Sequence, residues 1–391
     1  MTARSAIVGI GTTTYYARGQ SWPRTLHEMA CEAIVLAAKD AGLPVQAIDG
    51  FAYFAAGAYS ADGVDTGRVM ESLGIKEIGF SAGVTGGGGG SAGAVGLAQA
   101  AIVNGDSKYV VVVQALQQAK TRFGAAFANM QPSPDNSFFR APGLTAPGQF
   151  AALIARRHMH EYGTRREADA EVAISSRLNA STNPSAVMRQ PITLDDYFSA
   201  RMLADPLCRL DYCLESDGAV AIILTSPERA ADLAQKPVQV AAAVHGGAGE
   251  WGRAFMWGNT ADAVFASSGH RWIAERLYGK AGLGPRDVDV ALLYDHFSPL
   301  VVMQLEDFGF CPIGEGGPFV EQGSIRLKGG SIPVNTHGGN HSEAYILGIT
   351  HVVEGARQIR GSAANQLADV SVALATGGPG PLPLSAVLLT A

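Results

Sequence analysis

Apolar positions along this chain switch between two spacings, and the switch recurs. From Leu26 onward, Leu26, Met29, Ala30, Ala33, Ile34 and Ala37 return at three- and four-residue intervals, which predicts an amphipathic helix. Thr25-Leu26-His27-Glu28 reads as a capping box at its start, and Gly42 as its stop. Short apolar runs predict strands at Phe51–Phe54, Tyr109–Val113, Ala219–Leu224, Ala291–Tyr294, Val370–Leu374 and Ala386–Leu389. Two glycine-rich segments, Gly86-Gly87-Gly88-Gly89-Gly90-Ser91 and Asn335-Thr336-His337-Gly338-Gly339, each lead into a helical stretch and then a strand.

The pattern is a duplication. Ala41-Gly42-Leu43 with Asp49 recurs as Ala281-Gly282-Leu283 with Asp289, an offset of 240 residues (41 to 281). A period this long indicates two related α/β halves rather than a solenoid. They are expected over residues 1–235 and 236–391, with an insertion over roughly 120–210 in the first. That insertion carries the turn-forming loop Gln131-Pro132-Ser133-Pro134-Asp135-Asn136 and a charged helical stretch around Arg156–Glu161. Strands alternating with helices favour mostly parallel sheets covered on both faces. Ligands on such sheets sit beyond the strand C-termini, where the glycine segments fall.

Composition narrows the function classes. Of 391 residues, 47% are hydrophobic and only 16% charged, which points to extensive burial, in a subunit interface or in the core of a large monomer. The net charge of −6 and the lack of any Lys/Arg run argue against a nucleic-acid surface. No apolar run approaches the roughly 20 residues of a membrane span. Met1-Thr2-Ala3-Arg4 leads straight into a strand pattern without a signal-like apolar region. Cys31, Cys208, Cys213 and Cys311 show no CxxC pairing and none lies in a glycine segment, so buried thiols in a reducing cytoplasm are expected.

Several residues carry candidate chemistry. Gly88-x-Gly90-x-x-Gly93 matches a dinucleotide fingerprint, yet no clean strand is read before it and no acidic residue ends a strand about 20 residues on, so nucleotide binding is not expected. His337 and His341 are spaced to share a metal on a helix, but Gly338-Gly339 between them disfavours that helix, and no metal is expected. His296 and His337 read either as pocket hydrogen-bonding groups or as structural histidines. Tyr294 and Tyr345, from position alone, read more readily as core tyrosines than as catalysts.

A resemblance changes that weighting. The loops, together with Asn179–Pro184, Arg201–Pro206, Ser216–Ala221 and Arg357–Gly361, make nearly the whole chain similar to the thiolase superfamily, in its lipid-transfer and sterol-carrier branch. The resemblance implies a five-layered α/β/α/β/α architecture and a homodimer. In that family the first loop carries a nucleophilic cysteine, whose place is taken here by Gly89 of Gly89-Gly90-Ser91-Ala92; glycine is expected to leave room where the sulfur stood. The family's His-Asp-Cys-Phe corresponds to Tyr294-Asp295-His296-Phe297, and its second catalytic histidine falls on Tyr345. The family's second cysteine is matched by Thr376, before Gly377-Gly378. Both cysteines and both histidines are exchanged, and tyrosine stands at both histidine places.

Such members resemble steroid side-chain aldolases that work with a small OB-fold/zinc-ribbon partner protein. The implied reaction is retro-aldol cleavage of a 3-hydroxyacyl-CoA without an acyl-enzyme. Tyr345, Tyr294, His296 and His337 are the implied catalytic set, and Gly89, Gly90, Ser91, Gly338, Gly339, Gly377 and Gly378 the substrate or oxyanion cradle. No tightly bound cofactor is implied; coenzyme A enters as part of the substrate. A sterol-carrier-type thiolase, a non-catalytic lipid or acyl-CoA carrier and a structural subunit remain as alternatives.

Overall fold

The computed structural model describes residues 5–54, 63–84, 86–118, 122, 137, 140–248, 265–378 and 383–391. The first half runs β1 (Ala6–Thr12), β2 (Tyr16–Ala17), α1 (Leu26–Ala41), β3 (Gly50–Phe54), α2 (Thr66–Leu73), β4 (Phe80–Val84), α3 (Gly90–Asn104) and β5 (Val110–Leu116). A mainly helical excursion follows, with α4 (Pro147–Tyr162), α5 (Arg166–Ser181), α6 (Leu194–Ser199), β6 (Met202–Ala204) and β7 (Leu207–Cys208). The chain returns through β8 (Ser216–Thr225) and the single turn α7 (Pro227–Ala230). The second half comprises β9 (Val238–Gly246), α8 (Arg271–Ala281), β10 (Val290–Leu292), α9 (Ser298–Asp307), α10 (Gly316–Glu321), α11 (Gly339–Ser342), α12 (Ile349–Arg360), β11 (Val372–Gly377) and β12 (Leu384–Thr390).

The main sheet has the order β10-β11-β12-β9-β1-β8-β5-β3-β4, with β2 added alongside β8. Its two halves meet through the antiparallel pairs Ala6↔Gln239 and Ile7↔Val238. In the first half β3 pairs in parallel with both β4 and β5, but β8 runs antiparallel between β5 and β1. The second half repeats this, with β12 antiparallel between β11 and β9. The expected mostly parallel ladder is therefore mixed. Each half closes with a strand inserted into the middle of its own sheet, an order that helix–strand alternation alone does not encode.

Between the half-sheets lie α3 and α12. Helix α3 touches β3, β4 and β5 on one side and β9, β11 and β12 on the other. Helices α1 and α8 cover the outer faces, which gives the five expected layers. Helix α3 can occupy the middle because it is apolar nearly all round: Ala92, Ala94, Val95, Ala98 and Ala101 are all buried. Its glycines let the sheets come close, and a methyl carbon at Gly93 would stand 2.7 Å from the His245 ring.

The sequence repeat is a repeat of function in the fold. Gly42 (φ 72°) and Gly282 (φ 66°) end α1 and α8 in the left-handed conformation that glycine tolerates. The Asp49 carboxylate accepts bonds from the backbone of Lys108 and Tyr109 at the start of β5. Asp289 does the same for Ser371 and Val372 at the start of β11. The Thr25/Glu28 capping box is present, and Arg156–Glu161 falls within α4. The loop at 131–136 lies outside the described residues. Contrary to expectation, a strand, β4, does precede the first glycine segment; as a short edge strand, Phe80-Ser81-Ala82-Gly83-Val84, with none of its residues fully buried, it leaves little trace in the sequence.

Each aspartate accepts charge-assisted backbone bonds, so Asp49→Ala is expected to cost about 1–3 kcal/mol. Urea unfolding should show a lower midpoint with unchanged slope; an unmoved midpoint would deny Asp49 its pinning role.

Candidate active site

The C-terminal ends of β4, β10 and β11 deliver three loops to one buried point. Tyr294 follows β10, and its backbone is fixed from two directions. Its N–H donates to Thr376 Oγ1 at 2.8 Å, the Thr376 hydroxyl donates to Gln304 Oε1 at 2.6 Å, and Gln304 Nε2 returns to the Tyr294 carbonyl at 2.9 Å. Tyr345, between α11 and α12, is held in the same way by one side chain. Its N–H donates to Ser216 Oγ at 2.7 Å, and that hydroxyl lies 3.2 Å from the Tyr345 carbonyl. The two phenols meet: the Tyr294 hydroxyl donates to the Tyr345 hydroxyl at 3.1 Å, with the rings edge to face. Both tyrosines are buried.

The glycine loops close over this pair. A methyl carbon at Gly88 would stand 2.1 Å from the Tyr294 hydroxyl, so the absence of a side chain there is what admits the phenol. At Gly89 the added carbon would meet the Pro383 carbonyl oxygen at 2.1 Å. The expected space at Gly89 is thus filled by backbone from the second half. Gly378 packs against the Gly88–Gly89 peptide, and Gly377 against the hydroxyls of Ser91 and Ser385. The N–H groups of Gly89 and Gly90 bond within the turn, to Gly86, Gly87 and Gly88 carbonyls, and Ser91 Oγ donates to Gly88 at 3.1 Å. Gly338 faces Ala180 of α5, and Gly339 faces the Asp295 carboxylate.

Asp295 organises the histidines. Burial alone would raise its pKa, but contacts with His351, His341 and the Asn340 N–H outweigh burial and hold it at about 2. Its Oδ1 lies 3.2 Å from His351 Nε2 and accepts the Asn340 N–H at 2.8 Å. His351 Nδ1 in turn lies 3.2 Å from His337 Nε2. His296 packs edge-on against Tyr294 with ring centroids 5.2 Å apart. Burial pushes the His296 pKa down to about 3 and that of His337 well below the usual range, so both are neutral at ordinary pH.

Four supporting residues were missed or given no role in the sequence: Ser216, Gln304, Thr376 and His351. None has a local signature, since each acts across ten or more residues of chain on a loop brought to it by the fold. The thiols also need a correction. All four cysteines are free, but Cys213 lies beside the site, its N–H donating to the His296 carbonyl at 3.0 Å. Burial, then Asp295 and Glu215, push the Cys213 thiol pKa well above its usual value, which disfavours the nucleophilic thiolate.

Two homologous half-sheets around shared central helices, with opposed glycine loops at the strand ends, define a thiolase-superfamily protein. Residues 255–390 match the family model described as Thiolase C-terminal domain-like. The chain is 37% identical over 394 residues to the steroid side-chain-cleaving aldolase of Thermomonospora curvata, covering 99% of this chain and 98% of that protein. It is 36% identical over 399 residues to the 17-hydroxy-3-oxo-4-pregnene-20-carboxyl-CoA lyase of Mycobacterium tuberculosis, covering both chains fully. The solved Ltp2-ChsH2(DUF35) aldolase superposes with a TM-score of 0.89 at 36% identity, over 99% of this chain and 97% of that one. A monomeric SCP2-thiolase-like protein of Mycobacterium smegmatis, 17% identical, shares the fold with a TM-score of 0.71 over 100% of this chain and 78% of that one. The chain belongs to the family of these thiolase-fold, side-chain-cleaving aldolases, whose members are lyases.

Gly88→Ala tests the fit of the phenol. The added methyl must displace the Tyr294 hydroxyl, so turnover of the family's type of substrate should fall at least ~10²-fold, the loss expected when a positioned group is misplaced by about 1 Å. A crystal structure should show the 3.1 Å phenol–phenol bond broken; an intact bond with full activity would mean that the close approach is dispensable.

Proposed function

We propose that this protein cleaves the Cα–Cβ bond of a 3-hydroxyacyl-CoA with a bulky, steroid-like acyl group by a retro-aldol reaction, giving a ketone or aldehyde and a shortened acyl-CoA. The observation that carries the reading is the buried Tyr294–Tyr345 hydroxyl pair; the resemblance matches these two residues to the superfamily's catalytic histidines. The relatives' names supply the substrate class: one is named for steroid side-chain cleavage and the other for a carboxyl-CoA steroid.

One member of the pair, acting as the phenolate, takes the substrate hydroxyl proton as the Cα–Cβ bond breaks. The bonding electrons move onto the thioester as an enolate, and the hydroxyl carbon becomes a carbonyl. A proton then returns to Cα from the phenol pair, whose mutual hydrogen bond carries it between the two oxygens. No proton is gained or lost overall. A hydrogen bond donated by one phenol stabilises the oxyanion left on the other. With the Gly89 and Gly90 N–H groups engaged in their turn, His296 is the donor best suited to the enolate oxygen: a neutral imidazole N–H beside Tyr294.

A homodimer and a second protein complete the assembly. Among the described residues β4 forms one edge of the main sheet, and that edge and the groove beside it, lined by Phe80, Leu97, Val103 and Ala243, suit sheet-to-sheet association of two copies. The Ltp2-ChsH2(DUF35) structure is a complex, which supports a small OB-fold/zinc-ribbon partner here. Among the described residues no helix is long and apolar enough to cross a membrane, and four free cysteines fit the cytoplasm.

Tyr294→Phe and Tyr345→Phe each remove one oxygen and nearly preserve shape. Each should lower single-turnover release of ketone by ~10²–10⁴-fold with little change in binding, and the double variant should be little worse than the poorer single one. Near-normal rates in both folded variants would sink the two-phenol mechanism.

Cys213→Ser and thiol alkylation should leave most of the activity, since no thiol enters the reaction. Abolished turnover in folded Cys213→Ser would favour thiolase chemistry instead.

A further inference from the structure

Tyr345 lies outside any helix or strand, and its N–H and C=O both meet Ser216 Oγ, at 2.7 and 3.2 Å. Where the Tyr345 phenol stands therefore depends on where Ser216 stands. Ser216 is the first residue of β8, beyond the last rung that β8 makes with β5, Leu116↔Gly218. Two residues further along the same antiparallel register, Gln118 would face Ser216. The ladder stops short of that pair, and side chains replace it. The Ser216 N–H donates to Gln118 Oε1 at 2.8 Å, and the Gln118 N–H donates to Asp217 Oδ1 at 2.8 Å. Each side-chain oxygen takes the place of a main-chain carbonyl.

The aim of the Gln118 side chain is set from several sides. Its own carbonyl accepts the Arg18 Nε–H at 2.9 Å, so both of its main-chain groups are committed. A backbone N–H can only donate, so the amide oxygen, and not the nitrogen, must face Ser216. Successive side chains of a strand point to opposite faces, and Ser216 looks to Tyr345 while Asp217 looks away from it. There Asp217 Oδ2 accepts the Gly19 N–H at 2.9 Å and the Ser21 hydroxyl at 2.8 Å. Gln118, Ser216 and Asp217 are all buried, where an N–H without an acceptor is costly. Without the Gln118 oxygen the Ser216 N–H must turn to another acceptor, and the hydroxyl that holds Tyr345 moves with it.

We infer that Gln118 is a positioning residue for Tyr345, acting through Ser216 to set where the phenol stands. Asp217 completes the device by fixing the Gln118 main chain from the opposite face of β8. The consequence for position stands on these bonds alone; the consequence for rate rests on the retro-aldol reading, in which the Tyr345 oxygen handles a proton.

Two variants remove the bond in different ways. Gln118→Met keeps the length of the side chain and loses its oxygen, while Gln118→Asn keeps the amide but stops one bond short of Ser216. The phenol is followed without substrate by 19F NMR of protein carrying 3-fluorotyrosine at position 345. Both Gln118 variants should shift that resonance, as should Ser216→Ala, and adding Gln118→Met to Ser216→Ala should shift it no further. With a steroid-like 3-hydroxyacyl-CoA, kcat should fall ~10-fold in each Gln118 variant, less than the ~10²-fold loss of a full 1 Å misplacement, with KM within about twofold. The double variant should be no slower than Ser216→Ala alone. An unmoved resonance in either folded Gln118 variant overturns the inference, even if the other variant or Ser216→Ala fails to fold. Additive shifts and rate losses in the double variant also overturn it, since Gln118 would then act independently of Ser216. Absent turnover in the wild type would sink the retro-aldol reading and leave the 19F result to decide the positioning role.

Discussion

Everything at this site depends on two backbones being pressed together without side chains between them. The Gly88–Gly89 turn from the first half lies against Gly378 and Pro383 from the second, at distances that no Cβ would survive. That contact admits the Tyr294 hydroxyl under the turn. It is possible because α3, a helix of small residues, lets both half-sheets pack on it closely. Replace those glycines and alanines by ordinary core residues and the halves must separate, since close-packed interiors have no slack to absorb added volume.

Burial then decides the chemistry. With the loops closed, the ionisable groups can be charged only where several donors converge. Asp295 meets that condition and stays ionised; His296 and His337 do not and stay neutral. Thr376 and Ser216 show the same economy from the polar side. Each is a single hydroxyl that anchors a tyrosine main chain. The two tyrosines are thus held by their own backbones, leaving the phenols to face each other.

Much of this was legible in the chain. The duplicated Ala-Gly-Leu with its aspartate marked two equivalent corners of the fold, because a left-handed cap and a carboxylate clamp each demand a particular residue type. Tyr294 and Tyr345 were legible only through the resemblance; their spacing in the chain says nothing of the 3.1 Å between their hydroxyls. The insertion of β8 and β12 into the middle of their sheets, the backbone filling the space at Gly89, and the proximity of Cys213 were not legible. Each depends on where a distant strand returns, and local periodicity carries no such record.

The Pro383 carbonyl beneath Gly89 also limits which residues that place can hold. A cysteine at position 89 would bring its Cβ to 2.1 Å from that oxygen. The obstacle is main chain, which cannot swing aside as a side chain can, so seating a sulfur there requires the entry to β12 to retreat in the same step. The place is closed by a peptide group, whatever residue the codon supplies.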